Sequence, residues 1–241
     1  MSFRTLAGAG ALINWIDVPA DVEAEFDHWY TFQHLPERVG TPGFARGRRF
    51  VAENGSDPGA GRFLALYETD DVDVLDSAPY LERLNAPTDW TRKISATFTF
   101  AQRAACSLAL SAGQGSAAHV LTAQLDLLDD SGEAFVEHLR KVAVRLTESF
   151  DAVSLHLYRN DAEITSAKSR TDEGRVTSAA DSVPVWIVVV ELARPEAWSA
   201  ALDEVRAGAE HIRGGADGIG RVGRYRLLVE LESADPATAA G

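Results

Sequence analysis

The sequence predicts an α+β fold made of two ferredoxin-like βαββαβ repeats packed sheet to sheet, an intramolecular dimeric α/β-barrel. Three observations carry this expectation. A small, polar stretch, "SAGQGSAAH" (Ser111 to His119), separates two apolar-rich blocks. Each block reads strand, helix, strand, strand, helix, strand. The order recurs once, at a period of about 110 residues, which marks a duplication and not a solenoid. A single sheet of this kind has helices on one face only, so its bare face needs a cover. Two copies in one chain cover each other. The expected units are 1–112, a repeat carrying the candidate site, and 117–234, a degenerate repeat.

In the first block, "GALINWIDV" alternates as a strand. "DVEAEFDHWYTFQH" follows as a helix that Asp21 caps and the Leu35–Pro36 step ends. "FARGRRFVAE" and "GRFLALYET" are strands around "NGSDPGA", a turn of Gly, Asn, Asp and Pro. "VDVLDSAPYLERLN" is a second helix with a break expected at Pro79, and "TFTFAQRAACSLAL" closes the unit as a strand. In the second block, "HVLTAQLDLLD" is a strand, and "GEAFVEHLRKVAVRLTESF" is a helix with Phe135, Leu139, Val142 and Leu146 on one buried stripe. "AVSLHLYR" and "VPVWIVVVEL" are strands. Between them Asn160 to Ser182 reads as a mobile polar loop. "PEAWSAALDEVRAGAEHI" is a helix and "GRVGRYRLLVELE" the last strand.

Composition limits the function. The formal net charge is −13, with Lys+Arg 23 against Asp+Glu 36. That argues against nucleic-acid and anionic-membrane partners, both of which need a basic surface. No apolar run reaches the roughly 18 residues that span a bilayer. The N-terminus shows no export pattern, so a cytoplasmic protein is expected. A small-molecule substrate is the expected partner, and the chain is read as a monomer or homodimer. The single cysteine, Cys106, lies in an apolar strand and reads as a buried, inert thiol. The six histidines show no metal-ligand spacing, and the Gly-rich stretches make no nucleotide loop, "GADGIG" following a helix instead of opening one, so no metal and no cofactor is expected.

The chemistry concentrates in "FDHWYTFQHLPERVGTPGFARGRRF" (Phe26 to Phe50). On a helical wheel Val22, Phe26, Trp29 and Gln33 share one face. Tyr30 and His34 flank it one turn apart, and His28 points away. A histidine at a helix C-terminus is held toward its protonated form by the dipole, and an imidazole titrating near neutrality can move protons. It can equally be a simple C-cap. Aligning Phe26 with Phe135 sets Leu139 against Tyr30 and Ala143 against His34. The second repeat drops both polar groups, which favours a site in the first. Arg46 and Arg48 alternate to one strand face and Arg49 to the other, where a guanidinium can stabilise developing negative charge or pair with the many acids. Tyr67 and Glu68 face opposite sides, and the tyrosine is expected inward. Tyr80 and Trp90 border the same cleft.

"WYTFQHLPERVGTPGFARGRRF", "FLALYE" and "APYLERLNAPTDWTR" together resemble the dimeric α/β-barrel superfamily, most closely its EthD-like and related bacterial proteins. The resemblance covers residues 10–105; the second half is similar only in element order. It implies a cofactor-independent isomerase, lyase or monooxygenase acting by acid/base chemistry on a small apolar or aromatic oxygenated metabolite. On this reading His34, Tyr30 and Arg48 are catalytic, and Trp29, Tyr67, Tyr80 and Trp90 bind substrate. A non-catalytic small-molecule binding protein is the alternative. The superfamily also includes chlorite dismutase-like haem proteins, which would make His138 or His211 the axial ligand.

Overall fold

The computed structural model describes residues 6–128, 131–149, 151–177 and 184–234. Eight antiparallel strands close into one barrel: β1 (Gly10–Asp17), β2 (Phe44–Ala52), β3 (Phe63–Thr69), β4 (Phe100–Gly113), β5 (His119–Leu125), β6 (Ser154–Asn160), β7 (Trp186–Leu192) and β8 (Ile219–Glu232). Their order around the barrel is β1-β3-β2-β8-β5-β7-β6-β4. The first half supplies β4-β1-β3-β2, the ferredoxin-like order, and the second supplies β8-β5-β7-β6. Two 14-residue strands, β4 and β8, make the seams. Each pairs within its own half along one stretch and with the other half along the next. Closure leaves no sheet edge unpaired.

The closed sheet buries both of its faces. Inside lie Ile13, Trp15, Phe50, Leu66, Tyr158 and Tyr225, with Cys106 buried among them. Outside, the second half packs Leu121, Leu155 and Val188 under helices α5 (Gly132–Glu148) and α8 (Trp198–Arg206). The stripe Phe135, Leu139, Val142 and Leu146 on α5 is buried as its spacing requires. In the first half Leu12, Ile16, Ala65 and Tyr67 meet the helices of residues 23–39 and 78–95. No helix among the described residues is long and apolar enough to cross a membrane.

Closure corrects the reading of strand β3. Tyr67 and Glu68 do face opposite sides, yet both are buried. Tyr67 points to the helices and Glu68 into the barrel, where Arg46 donates to it at 3.0 Å. In an open sheet one of them would face water; here no face does.

The first helix also departs from expectation. Helix α1 (Glu23–Trp29) begins at Val22 with no side-chain cap, so Asp21 does not serve that role. Acidic Glu23 and Glu25 still favour its N-terminal turn. Pro36 does not end the helical run. The chain widens into a π-turn at Tyr30–His34, with the Leu35 N–H donating to the Tyr30 carbonyl, and continues as α2 (Leu35–Val39). The wider ring shifts the register, and Pro36 falls in the opening turn of α2, where a missing N–H costs least. Gly47 on β2 lets α2 approach: a Cβ there would lie 2.6 Å from Leu35 Cδ1 and 2.9 Å from Val39 Cγ2.

The break expected at Pro79 is present: a 3-10 turn at Asp73–Asp76 gives way to an extended Ser77, and Pro79 opens a new helix. Helix α3 (Ala78–Asn85) holds it in its first turn. "DWTRKIS" forms α4 (Asp89–Ser95), capped by Thr88 Oγ1 accepting from the Thr91 N–H at 3.0 Å.

The stretch expected as a mobile loop is ordered over its described part. It forms α6 (Ala162–Ala167) and α7 (Asp172–Val176), which lie against the first half. Asp161 caps α6 and Thr171 caps α7. Residues 178–182 of that stretch lie outside the described residues.

Candidate functional site

A cavity of about 990 Å³ lies between the outer face of β1 and β4, the α1–π-turn segment, and the α6–α7 insertion. Asn14 and Ile16 of β1 and Ala101 and Arg103 of β4 form its floor. Trp29, Tyr30 and His34 form one wall, while Lys168 and Glu173 of the second half stand on the other. The first half thus supplies the aromatic wall and the second half closes it.

The π-turn brings three rings together. His34 lies 4.4 Å from the Trp29 ring and 4.9 Å from the Tyr30 ring, centroid to centroid. His34 is 8% exposed, and its Nδ1 is buried without a hydrogen-bond partner among the described residues. Burial, and after it the nearby Arg38 cation, hold the imidazole well below its ordinary pKa; the Glu173 carboxylate opposes them weakly. His34 is therefore neutral at neutral pH. The expected dipole effect does not operate, because the helical run continues to Val39 and His34 is not at its end.

Tyr30 is a neutral phenol. Burial pushes it up to about 12, against a hydrogen bond from Tyr67 and the Arg49 charge. The Arg49 guanidinium sits 4.5 Å from the Tyr30 ring centroid. Tyr67 Oη donates to Tyr30 Oη at 3.1 Å, and burial pushes Tyr67 well above its ordinary value as well. With its oxygen accepting from Tyr67, the Tyr30 hydroxyl keeps its own proton to donate toward the cavity.

Behind this wall is an ion pair across the halves. Arg38 of α2 donates to Glu173 of α7, which also meets Lys168 Nζ at 3.2 Å. Burial alone would raise the Glu173 carboxyl; the Arg38 and Lys168 cations outweigh it and hold the group well below the usual carboxylate range.

Of the residues nominated from sequence, Trp29, Tyr30 and His34 line the cavity, with Tyr67 directly behind Tyr30. Arg48, Tyr80 and Trp90 are elsewhere. Arg48 shares a face with Arg46, as alternation requires, but that face is the barrel interior. There it is bidentate to Glu191 at 3.0 and 2.6 Å and also meets Glu68 at 3.5 Å. Its charge is already satisfied, on the opposite side of the sheet from His34. Tyr80 packs against Phe44 and under the Arg38 guanidinium. Trp90 stands outside α1, donating to Glu25 at 3.2 Å and stacking edge-on with exposed His28. Asn14, Arg103 and Glu173 were not anticipated. Asn14 carried a signal: it alternates with Leu12 and Ile16 on a helix-facing strand surface. Glu173 carried none.

Haem does not fit the residues present. His138 Nε2 is within 3.1 Å of the Glu204 carbonyl, and its ring stacks on Phe135. A Cβ at Gly208 would already come within 2.7 Å of His138, so that face has no space for a macrocycle. His211 packs edge-on against Phe135 in the same cluster. Among the described residues no group of three or more His, Cys, Asp or Glu side chains is placed to hold a metal ion.

No family model and no curated protein matches the chain. Solved structures match it throughout. An anthrone oxidase-like protein is 9% identical with a TM-score of 0.58, covering 94% of this chain and 93% of its own. A candidate monooxygenase from Lactobacillus acidophilus NCFM is 9% identical with a TM-score of 0.56, covering 93% and 96%. The chlorite dismutase of Candidatus Nitrospira defluvii is 12% identical with a TM-score of 0.53, covering 90% and 91%. At these identities the likeness is one of fold: the chain has the dimeric α/β-barrel architecture, with both halves in one polypeptide.

Proposed function

We propose that this protein is a cofactor-independent acid/base enzyme for a small apolar or aromatic oxygenated metabolite, bound in the cavity beside His34. One observation carries the reading: a neutral imidazole stands next to a phenol whose oxygen already accepts a hydrogen bond, and both line one cavity. A neutral imidazole can take a proton from an acidic C–H or O–H of the ligand. Tyr30 then donates to the oxygen on which negative charge develops. The burial of His34 and Tyr30 strengthens both interactions. The proton can return at another carbon, or the carbanion can eliminate or meet dioxygen, which gives isomerase, lyase and monooxygenase outcomes. The names of the fold neighbours, a candidate monooxygenase and an anthrone oxidase-like protein, favour the last. In this reading Arg48 has no catalytic part, and the EthD-like resemblance extends to the site as well as the fold.

A second reading, a non-catalytic binding protein, is favoured by the depth of His34, since the burial that keeps it neutral also weakens it as a base. Substitution separates the two. A panel of phenols, anthrones and aromatic lactones is titrated into the protein by Trp fluorescence, and turnover is followed by absorbance. An enzyme loses turnover in His34→Ala and keeps binding. If wild type binds but turns over none of the panel and His34→Ala binds alike, the binding-protein reading stands.

A further inference from the structure

We infer that Asn14 and Arg103 bind a carboxylate, so that the occupant of the cavity is an apolar or aromatic carboxylic acid. This rests on the reading of the cavity as the ligand site and adds the ligand's class.

The two residues face each other directly across the β1–β4 pair. Cβ atoms in such a pair are about 4.5–5.5 Å apart. Their neighbours on the same outward face are Leu12, Ile16, Ala101 and Ala105, so a polar pair stands in an otherwise apolar floor. Polar groups in such a place find partners or are kept for one.

Arg103 uses only one nitrogen. Its Nη1 donates to the carbonyls of Ile164 and Thr165, at 3.3 and 3.1 Å, which ties it to α6. Among the described residues its Nε is buried without a partner and no hydrogen bond engages Nη2. With Nε covered and Nη1 engaged, Nη2 is left to donate a charge-assisted hydrogen bond to a carboxylate. The half-buried Asn14 amide also makes no hydrogen bond among the described residues, and can add a second donor.

Electrostatics point the same way. The net charge of −13 repels an anion at long range, so the attraction has to be local, and the buried arginines are claimed: Arg38 by Glu173, Arg46 by Glu68, Arg48 by Glu191 and Arg49 by Asp27. Arg103 has no carboxylate within ion-pair distance among the described residues. The two acids that line the cavity are engaged elsewhere, Asp161 in capping the Ile164 N–H at 2.9 Å and Glu173 with Arg38 and Lys168. An acid anchored on the floor lays its apolar body against Ile16, Trp29 and Phe98 and brings a second oxygen toward Tyr30.

The test uses the full chain and three probes, 2-naphthoate, its methyl ester and 2-naphthol, titrated by calorimetry. The acid is expected to bind at least about tenfold more tightly than the ester, the margin of one charge-assisted hydrogen bond. Arg103→Gln and Asn14→Leu should each reduce that preference and leave the ester unchanged. Arg103→Lys should keep part of it. Because Arg103 also holds α6, thermal unfolding is recorded for each variant, and Asn14→Leu, which breaks no backbone contact, decides if Arg103→Gln is unfolded. Equal binding of acid and ester, or a preference that survives undiminished in Asn14→Leu and Arg103→Gln alike, overturns the inference. If Ile16→Trp then still weakens both probes, the cavity reading survives that failure. If none of the three probes binds wild type, both readings fall.

Discussion

Arg38 and Glu173, 135 positions apart in sequence, form a buried ion pair that fastens the second half's insertion to the helix carrying His34. Glu173 also lines the cavity, so the contact ties its far wall to the first half. Removing one partner leaves the other charge buried and unmatched, which costs about 3–5 kcal/mol. Glu173→Gln is therefore expected to lower the urea midpoint strongly and to weaken any ligand of the cavity. The same pair fixes a pH response. The folded Glu173 carboxyl titrates below its unfolded value, so its contribution is full above the ordinary carboxylate range and is lost as pH falls beneath it. Denaturation at a series of acid pH values, wild type against Glu173→Gln, should show the two curves converging in acid.

His34 and His156 set a second, higher window. Burial lowers both, His156 to about 4. The unfolded chain binds protons at these histidines near pH 6.5 and the folded chain does not, so stability falls as pH drops below that value. Nitrogen chemical shifts of the imidazoles should show His34 still neutral at pH 6. A His34 titration midpoint near 6.5 would mean that the imidazole is hydrated and that the cavity wall is open.

Gly47→Ala probes how closely α2 lies on the sheet. The new methyl would meet Leu35, Val39 and Tyr67, the last at 2.9 Å. Overpacking of this kind costs about 1–3 kcal/mol. The expected signature is a lower melting temperature together with weaker binding in the cavity, because the displaced segment includes the π-turn.

Arg48→Met separates barrel from cavity. Loss of the guanidinium strands Glu191 and should destabilise the fold by about 3–5 kcal/mol. Where the variant remains folded, cavity ligands should bind as in wild type. A selective loss of binding without loss of stability would return Arg48 to the site.

Much of the architecture was legible. Strand alternation, the α5 stripe and the repeated element order give the two ferredoxin-like halves, and the density of chemistry around Trp29, Tyr30 and His34 coincides with one wall of the cavity. What escaped had physical reasons. Alternation puts Arg46 and Arg48 together, but only the β2–β8 and β4–β6 seams decide that their face is the inside of a barrel. A π-turn leaves no compositional mark, so Pro36 reads as a stop when the widened ring has already accommodated it. The helices α6 and α7 are short and polar, and what supports them is a partner far away in sequence, so no local window reveals them. Asn14 was the one missed residue whose place could have been read, as a lone amide on the apolar face of β1.

The most direct test of proton transfer at His34 needs no knowledge of the final product. Anthrone is incubated with the protein in D₂O under argon, and deuterium entering its methylene position is followed by NMR. The account predicts exchange faster than in buffer, retained binding but lost exchange in His34→Ala, and slowed exchange in Tyr30→Phe. Tight binding with exchange no faster than in buffer, or the same rate in wild type and His34→Ala, would contradict it.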